Sequence, residues 1–479
     1  MHILIYNKRK IRRRYNAMQY AVRLVSMEIE NIKNVRHGRL DFAKGMKGSI
    51  LGIYGQNGSG KTVVVDCMVL LKCLLSGRQI PPHFYHYMNA LTESARVSYG
   101  FQICGDTDEM YAEYEIELLK NGEYSFCISG EKLRAREMAG KKGTRLNSLF
   151  DYHKGEKELF RPLKYYARFE KDMDSMVALG IAQQATEDFD EEKHLPRVSS
   201  FLFAKKAQDV FKKTKGDAEK IYFFTHILQK YGFYDLAVIE NTHYGLLALN
   251  LDAFPVNVDW PDRMKPDITG IMLKLTDINI VPKEIFSYVE NTIKQINIVM
   301  KTLVPDIRIE IYNAFEKLME KGKDGIQFEI ITVHGKARIP LMYESAGIKK
   351  LISICSNLVA CYNRESYCLV VDELDSGIYE YLLGECLEVM QEKAKGQLIF
   401  TSHNLRPLEV LRNEFLIYTT VNPDNRYIKS SYIKNTQNTR LSYLRSIKLG
   451  GQKEKLYNET NIYEMELAMR RAGKVGIHD

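Results

Sequence analysis

The sequence predicts an α/β fold in which a mixed sheet carries a phosphate-binding loop, with an antiparallel β-subdomain and a mainly helical insertion. Three observations predict it. An apolar run over residues 48–54 leads into a glycine-rich loop and then into an apolar helical pattern. Segments that alternate apolar and polar residues follow that helix. In the last third of the chain, short apolar runs end in acidic residues or histidine, as strands do at a functional sheet edge.

The glycine-rich loop is the most informative motif. Residues 55–62 fit G-x-x-x-x-G-K-[ST] between a strand pattern and a helix pattern. Glycines let successive backbone N–H groups face an anion, and the following helix adds its positive N-terminal end. Lys61 is expected to reach the β- and γ-phosphates, and the Thr62 hydroxyl to bind Mg²⁺. The nucleotide-binding residues predicted here are Gly55, Asn57, Gly58, Ser59, Gly60, Lys61 and Thr62.

Composition bounds the class of protein. The 479 residues are enough for two or three domains, and 45% of them are apolar, so a sizeable core is expected. No apolar run approaches the roughly 20 residues that span a bilayer, and no signal-peptide core is found, so we expect a cytoplasmic protein without a membrane partner. The eight cysteines contain no C-x-x-C pair, which favours reduced thiols and disfavours a zinc site.

The chain divides into five predicted segments. Residues 1–18 form a basic leader, although Met18 is an alternative start, and binding of its basic run to nucleic acid or an anionic surface stays open. Residues 19–130 form an N-terminal lobe with two strands, the phosphate loop and an antiparallel meander. Residues 131–305 are predicted to be a mainly helical insertion. Residues 306–420 form a C-terminal lobe, and residues 421–479 a basic tail.

Two apolar runs of the C-terminal lobe end in residues suited to nucleotide hydrolysis. Residues 367–371 are apolar and are followed by Asp372 and Glu373. Beside a phosphate loop, Asp372 is expected to contact Mg²⁺ through its water shell, and Glu373 to orient and polarise the attacking water. The next apolar run, residues 397–400, leads to His403, which can hydrogen-bond the γ-phosphate and sense its loss.

Ser345 and Gly347 open the helix pattern that precedes the Asp372 strand. Ser345 is a good N-cap, and this is its structural role. The functional interpretation is an anion-binding helix start that meets the γ-phosphate of a nucleotide held by a second subunit. Residues 449–452, Leu-Gly-Gly-Gln, look more like a transporter signature but follow His403, so we assign the role to Ser345 and Gly347. The later stretch is interpreted as a turn or a partner contact.

In this order, the phosphate loop, the Ser345–Gly347 motif, the Asp372-Glu373 strand and His403 resemble the ABC-type ATPase superfamily in its SMC-like and OLD-like branch. The resemblance covers the beginning and the last third of the chain. It implies a P-loop NTPase of the ABC/SMC-head type, in which two heads sandwich two molecules of ATP with Mg²⁺. The stretch after Glu373 resembles the D-E-x-D-x-G-x-H pattern of OLD-like and abortive-infection ATPases, with Tyr379 at the usual histidine position. Gln102 is a weak candidate for the Q-loop glutamine.

Size and layout are most similar to the ATPase subunits of two-component anti-phage systems of the PARIS, Septu and AbiL types. About 75 residues follow His403, without a carboxylate cluster or an H-N-H pattern, so a nuclease or toxin effector is expected to be a separate protein. The resemblance implies a homo-oligomeric ATPase that senses infection and controls that effector. Two alternatives stay open: an SMC- or RecF-like DNA-repair ATPase that binds DNA, and a nucleotide-dependent assembly protein with little turnover.

Overall fold

The computed structural model describes residues 20–42, 49–106, 108–138, 145–240, 253–256, 272–319, 322–429, 439–449, 454–457 and 461–473. The predicted leader, residues 1–18, lies outside this set. No helix within it is long and apolar enough to cross a membrane. All eight cysteines are described, and none forms a disulfide.

The N-terminal part of the chain contains a six-stranded antiparallel sheet, and also the strand and the helix that flank the phosphate loop. Its elements are β1 (Ala21–Ile32), β2 (Val35–Asp41), β3 (Ser49–Tyr54), α1 (Lys61–Leu75), β4 (Ser94–Cys104), β5 (Glu109–Lys120), β6 (Phe126–Met138) and β7 (Asn147–His153). The strand order of the antiparallel sheet is β2-β1-β4-β5-β6-β7. Helix α1 is almost entirely buried, because its run of valine, leucine, methionine and cysteine packs on all sides.

The middle of the chain combines helices with short strands. Its elements are α2 (Leu163–Tyr166), α3 (Met173–Gln184), β8 (Phe189–Asp190), β9 (Leu195–Pro196), α4 (Lys205–Lys213), α5 (Glu219–Lys230), β10 (Leu236–Ile239), β11 (Ala253–Pro255), β12 (Met272–Lys274), β13 (Asn279–Pro282) and α6 (Phe286–Leu303). The acidic stretch at residues 187–192 contains the two-residue strand β8, which pairs with β9.

The last third of the chain returns to alternating strands and helices. Its elements are β14 (Ile307–Leu318), β15 (Asp324–His334), β16 (Ala337–Pro340), α7 (Ala346–Asn363), β17 (Cys368–Val371), α8 (Glu380–Lys393), β18 (Gln397–Thr401), α9 (Pro407–Val410), β19 (Leu416–Thr419), β20 (Tyr427–Ile428), α10 (Thr439–Leu449) and α11 (Ile462–Ala472). Strand β15 pairs with β14 on one side and with β13 and β16 on the other.

A second six-stranded sheet carries the site. Its order is β10-β17-β18-β3-β19-β20, and every neighbouring pair is parallel except β19 and β20. The carboxyl ends of parallel strands meet at one edge of a sheet. The loop after β3 and the residues that follow β10, β17 and β18 therefore lie along one edge. The predicted fold class, α/β with a mixed sheet, an antiparallel subdomain and helical segments, is confirmed.

One strand crosses a predicted segment boundary, and two others pair with strands of another predicted segment. Strand β6 runs through the boundary at residue 130, and the antiparallel sheet ends only at His153. Strand β10, inside the predicted insertion, pairs with β17 in the parallel sheet. Strand β20, inside the predicted tail, pairs with β19. A buried strand of four residues, such as β10, shows no alternation of apolar and polar residues. Its partner strand is also distant in sequence. The sequence patterns therefore did not reveal these pairings.

Candidate nucleotide site

The phosphate loop follows β3 and opens helix α1. Gly58 and Gly60 have φ angles of 72° and 93°, in the left-handed region that glycine adopts without a Cβ penalty. Gly60 is the N-cap of α1, and no side chain caps that end of the helix. The Lys61 ammonium donates to the carbonyl oxygens of Gly55 and Gln56 at 2.8 and 3.0 Å. The loop thus forms a ring closed by its own lysine, with the helix N-terminus behind it.

Close packing requires glycine at position 55. A Cβ there would lie 1.6 Å from Thr419 Oγ1 and 2.8 Å from Ser59 Oγ. The Thr419 hydroxyl lies 2.5 Å from Ser59 Oγ and 3.2 Å from the carbonyl oxygen of Tyr54. Strand β19, which carries Thr419, therefore fixes the start of the loop through one hydroxyl.

Two further segments hold the outer side of the loop. The Asn34 amide, in the β1–β2 turn, donates to the carbonyl oxygen of Gly58. Arg426 donates to the carbonyl oxygen of Asn34 at 2.6 Å, and the Tyr427 hydroxyl donates to that of Gly60 at 2.7 Å. The first residues of the predicted tail therefore support the loop.

Asp372 and Glu373 follow strand β17 and share one partner. The Thr401 hydroxyl, on β18, donates to Asp372 Oδ1 at 2.6 Å and accepts the backbone N–H of Glu373 at 2.7 Å. Asp372 is buried, whereas the Glu373 side chain is 38% exposed. Glu373 has a φ of 46°, a left-handed conformation that is costly for a residue with a Cβ. The neighbouring strand therefore holds the predicted catalytic residue in a strained conformation.

His403 lies beside Glu373, with 3.9 Å between its Nε2 and Glu373 Oε1. Asp375 positions this segment, because its carboxylate accepts the backbone N–H groups of His403 and Asn404 at 3.2 and 3.0 Å. The sequence patterns included Asp375 in a motif but gave it no role. Its role depends on a loop 28 residues away in sequence.

The charges of these residues converge on Lys61. Burial lowers the pKa of Lys61, and the carboxylates of Asp372, Glu373 and Asp375 oppose that shift by their attraction. The phosphate loop, the two acids after β17 and the segment before His403 therefore face a common space. A phosphate chain in that space would find backbone N–H groups and one ammonium on one side, with acids suited to a cation on the other.

The residues fit a nucleotide with Mg²⁺. Thr62 is exposed at the first turn of α1, so its hydroxyl is accessible to a cation. Asp372 has one carboxylate oxygen bonded to Thr401, which orients the group while the second oxygen stays available. Hard oxygen ligands of this kind suit Mg²⁺ completed by phosphate oxygens and water.

Ser345 and Gly347 lie at the start of α7. Ser345 is the N-cap, and its hydroxyl accepts the N–H of Ile348 at 3.3 Å. A Cβ at Gly347 would lie 2.2 Å from the carbonyl oxygen of Gly377, so this helix start packs on the loop that follows Glu373. Among the described contacts, none joins Ser345 or Gly347 to the phosphate loop of the same chain. Their expected contact with the nucleotide of a second subunit stays a prediction.

Lys350, which the sequence patterns did not single out, reaches the site from the same helix. Its buried ammonium donates to the carbonyl oxygen of Glu373 at 2.5 Å. Burial lowers the pKa of Lys350 to about 8, against the attraction of Asp375, Glu373 and Asp372. The only signal in the sequence was its position, five residues after Ser345 in the same predicted helix.

The prediction of Gln102 as the Q-loop glutamine is not supported. Gln102 lies on β4, where its amide donates to Glu109 at 2.6 Å, and it pairs with Arg23 and Tyr111 across the antiparallel sheet.

Glu240 lies next to Asp372 at the edge of the parallel sheet. It follows β10, and Ile239, the last residue of β10, pairs with Val371 of β17. Burial, followed by the charges of Asp66 and Asp372, raises the pKa of Glu240 to about 7.

The alternative signature at residues 449–452 is described only in part. Leu449 is the last residue of α10, and residues 450–452 lie outside the described set. The predicted turn or partner contact there stays a prediction.

Fold and site together define a P-loop α/β protein with an acidic strand end facing the loop. A family model described as an AAA domain matches residues 26–230, which include β3 and the phosphate loop. No curated protein matches the chain.

Solved structures resemble the chain at low identity. A Smc head domain with an extended coiled coil bound to the C-terminal domain of ScpA derived from Pyrococcus furiosus has 11% identity and a TM-score of 0.38, covering 85% of this chain and 96% of that one. The recombination mediator protein RecF with ATP has 14% identity and a TM-score of 0.35, covering 80% and 94%. The SMC head domain from Thermotoga maritima has 13% identity and a TM-score of 0.31, covering 85% and 99%. At these values the likenesses carry no functional argument.

Proposed function

We propose that the chain is a cytoplasmic ABC-type ATPase that binds ATP with Mg²⁺ and hydrolyses it between two head domains. The observation that supports this most is the position of the phosphate loop, after β3, and of Asp372 and Glu373, after β17, at one edge of the parallel sheet. Lys61 and the loop N–H groups hold the phosphates, Glu373 directs water towards the γ-phosphate, and His403 contacts the phosphate that leaves. Bound Mg²⁺, held by Thr62 and Asp372, would neutralise charge that develops on the phosphates.

The catalytic assignment is tested by two substitutions. Lys61→Ala removes the ammonium that bridges the loop and should weaken ATP binding. Glu373→Gln should retain ATP binding but lose turnover, by about a hundredfold or more, since a single positioned group contributes that much. Glu388→Gln, an exposed residue on α8, is the matched control and should behave as wild type. Equal hydrolysis rates in wild type and Glu373→Gln would overturn the assignment.

The two-head arrangement rests on Ser345 and Gly347, which lie at a helix N-terminus away from the phosphate loop of their own chain. Such a helix start suits the γ-phosphate of a nucleotide in a second copy. Ser345→Asp and Ser345→Asn both keep a good N-cap, but only Asp places a negative charge against that phosphate. We expect Asp to abolish ATP-dependent dimers in a Glu373→Gln background, and Asn to retain them. Equal effects of the two variants would refute the trans contact.

Within this class, we propose a sensor and scaffold role in anti-phage defence, with control of a separate nuclease or toxin. The support is the similarity of Asp372-Glu373-Leu-Asp375-Ser-Gly377 to the pattern of OLD-like and abortive-infection ATPases. The test is a neighbouring gene for a nuclease or toxin whose product co-purifies with the chain. Protection against phage should then require both proteins and an intact Glu373. Protection by the effector without this chain would contradict the role.

The DNA-repair alternative makes a different prediction. Two basic residues on the outer face of the antiparallel sheet are already paired, Arg96 with Glu30 and Arg134 with Glu113. This charge pairing disfavours a polyanion on that face. DNA binding whose affinity falls as salt concentration rises, with a slope set by the number of phosphates contacted, would favour this alternative.

The alternative of an assembly protein with little ATP turnover would be favoured if Glu373→Gln left cellular function intact.

A further inference from the structure

Strand β14 is an edge strand whose outer half is exposed. Within the described part of the chain it pairs only with β15. Every residue from Tyr312 to Leu318 is exposed, including Tyr312 at 41%, Phe315 at 52% and Leu318 at 72%. Three large apolar side chains and an open row of backbone groups thus occupy one short segment, which is a template for pairing with another strand.

The backbone direction of β14 is fixed by α6. The side chain of Asn297 donates to the carbonyl oxygen of Ile309 and accepts its N–H, both at 2.8 Å. The backbone groups of Ile309 therefore point away from β15. In an antiparallel ladder this direction alternates, so those of Ile311 also point outward. One extra residue between Tyr312 and Phe315 shifts the register, after which Glu316 and Leu318 point outward.

This edge is self-complementary about a two-fold axis between Asn313 and Ala314. Ile311 then lies opposite Glu316 of a second copy, and both have outward backbone groups, so the two residues can exchange hydrogen bonds. Tyr312 lies opposite Phe315, which is a favourable aromatic pair. Shifting the axis by half a residue in either direction would place a residue whose backbone groups point outward opposite one whose backbone groups point towards β15. Parity thus allows the register centred between residues 313 and 314, and the facing of Tyr312 with Phe315 favours it among the registers that parity allows.

The charges of the facing side chains, and the face of the sheet to which they point, agree with the same register. Glu310 lies opposite Lys317, an attractive pair that occurs twice because of the symmetry. The two side chains point to the same face of the sheet, because their partners on β15, Ile331 and Gly325, are an even number of residues apart. Asn297 already occupies the outer edge at Ile309, so the shared hydrogen bonds run from Ile311 to Glu316.

We infer that the β14 edge binds the β14 edge of a second copy of this chain, forming a continuous antiparallel sheet across a two-fold axis. This interface goes beyond the proposed ATP-dependent pairing of heads and needs no nucleotide. Two different isologous contacts on one chain generate closed rings or open filaments of dimers. The assembly is therefore larger than a head-to-head dimer when ATP is present.

The experiment measures mass by light scattering or native mass spectrometry, without nucleotide and in a Lys61→Ala background, so that ATP-dependent pairing does not contribute. The parent is expected to be a dimer. Lys317→Glu places two glutamates opposite each other twice and should weaken the dimer roughly tenfold. Glu310→Lys should weaken it similarly. Lys336→Glu, the same charge change on an exposed turn of the same sheet, is the matched control and should not.

Mixing the two weakened variants provides the decisive measurement. In a heterodimer of Glu310→Lys with Lys317→Glu, every pair across the axis is again opposite in charge, so dimers should return in a one-to-one ratio. Glu316→Pro removes an outward N–H while leaving the β15 ladder intact. It should give monomers in the nucleotide-free Lys61→Ala background, and the same substitution in the wild-type Lys61 background should leave nucleotide binding unchanged. A monomeric parent, a dimer that resists both charge variants, or no recovery on mixing would overturn the proposal.

Discussion

The ammonium group of Lys350 donates to the carbonyl oxygen of Glu373 across 2.5 Å, and this bond joins helix α7 to the predicted catalytic residue. Glu373 has a φ of 46°, a conformation that costs roughly 1–2 kcal/mol for a residue with a Cβ. The bonds from Lys350 and to Thr401 hold both sides of this residue. Lys350 is thus a positioning residue, because it acts through the backbone of Glu373.

Lys350→Met keeps the length of the side chain and removes the donor. The carbonyl of Glu373 then loses a buried partner, and its carboxylate can leave the geometry that directs water. We expect kcat for ATP hydrolysis to fall by about ten- to a hundredfold with little change in ATP affinity. Steady-state kinetics and nucleotide titration separate the two quantities. Lys349→Met, on the adjacent residue, should leave kcat unchanged, and a rise in KM without a fall in kcat would contradict the positioning role.

The contact between Gly55 and Thr419 predicts a specific steric effect. Gly55→Ala places a Cβ 1.6 Å from Thr419 Oγ1, so the loop or β19 must move. Overpacking of this kind costs about 1–3 kcal/mol of stability, and the displaced loop should bind ATP more weakly. Denaturation midpoints and nucleotide titration measure both effects.

Two companion variants isolate the cause. Adding Thr419→Ala to Gly55→Ala removes the clashing oxygen and should recover part of the affinity. Gly58→Ala meets nothing within 4 Å but sits at a φ of 72°, so it reports conformational strain without a clash. If Gly58→Ala weakened binding as much as Gly55→Ala, and Thr419→Ala gave no recovery, the clash would not be the cause.

Motifs with fixed local spacing were predictable from the sequence, and contacts between distant segments were not. The loop containing Lys61 and the strand before Asp372 follow from patterns of a few residues each. Thr419, Asn34 and Lys350 meet these motifs only through folding, and their residue types are common in any chain. The extent of the antiparallel sheet was missed because Glu131, a charged residue at a buried position of β6, interrupts the alternation that marks a strand.

A buried carboxylate fixes the antiparallel sheet to the segment that precedes α4. Glu131 is fully buried on β6, and it accepts the Ser200 hydroxyl at 2.5 Å and the Tyr114 hydroxyl at 2.6 Å. Its other oxygen accepts the N–H groups of Phe201 and Leu202 at 2.9 and 3.1 Å. Four donors thus depend on one side chain, since buried polar groups need partners.

Glu131→Ala should lower the free energy of unfolding by about 3–5 kcal/mol, because it leaves all four donors unsatisfied and opens a cavity. Glu131→Gln keeps the shape and one acceptor oxygen, so its loss should be smaller. Urea unfolding followed by circular dichroism measures the difference. The network would be unimportant for stability if Glu131→Ala unfolded within about 0.5 kcal/mol of wild type.

His226 on α5 predicts a pH dependence of stability. Burial, followed by the charges of Lys230 and Lys212, lowers its pKa from about 6.5 to about 4. As pH falls from 6.5 towards 4, the unfolded chain binds a proton that the folded chain does not, so stability falls over that window. His226→Phe keeps the stacking on Tyr222, whose ring centroid lies 5.2 Å away, and removes the titration. Urea unfolding at several pH values should therefore show a smaller loss of stability on acidification for His226→Phe than for wild type. The exposed His86→Phe serves as the control and should follow wild type. Equal pH slopes for wild type and His226→Phe would show that folding does not lower the pKa of His226.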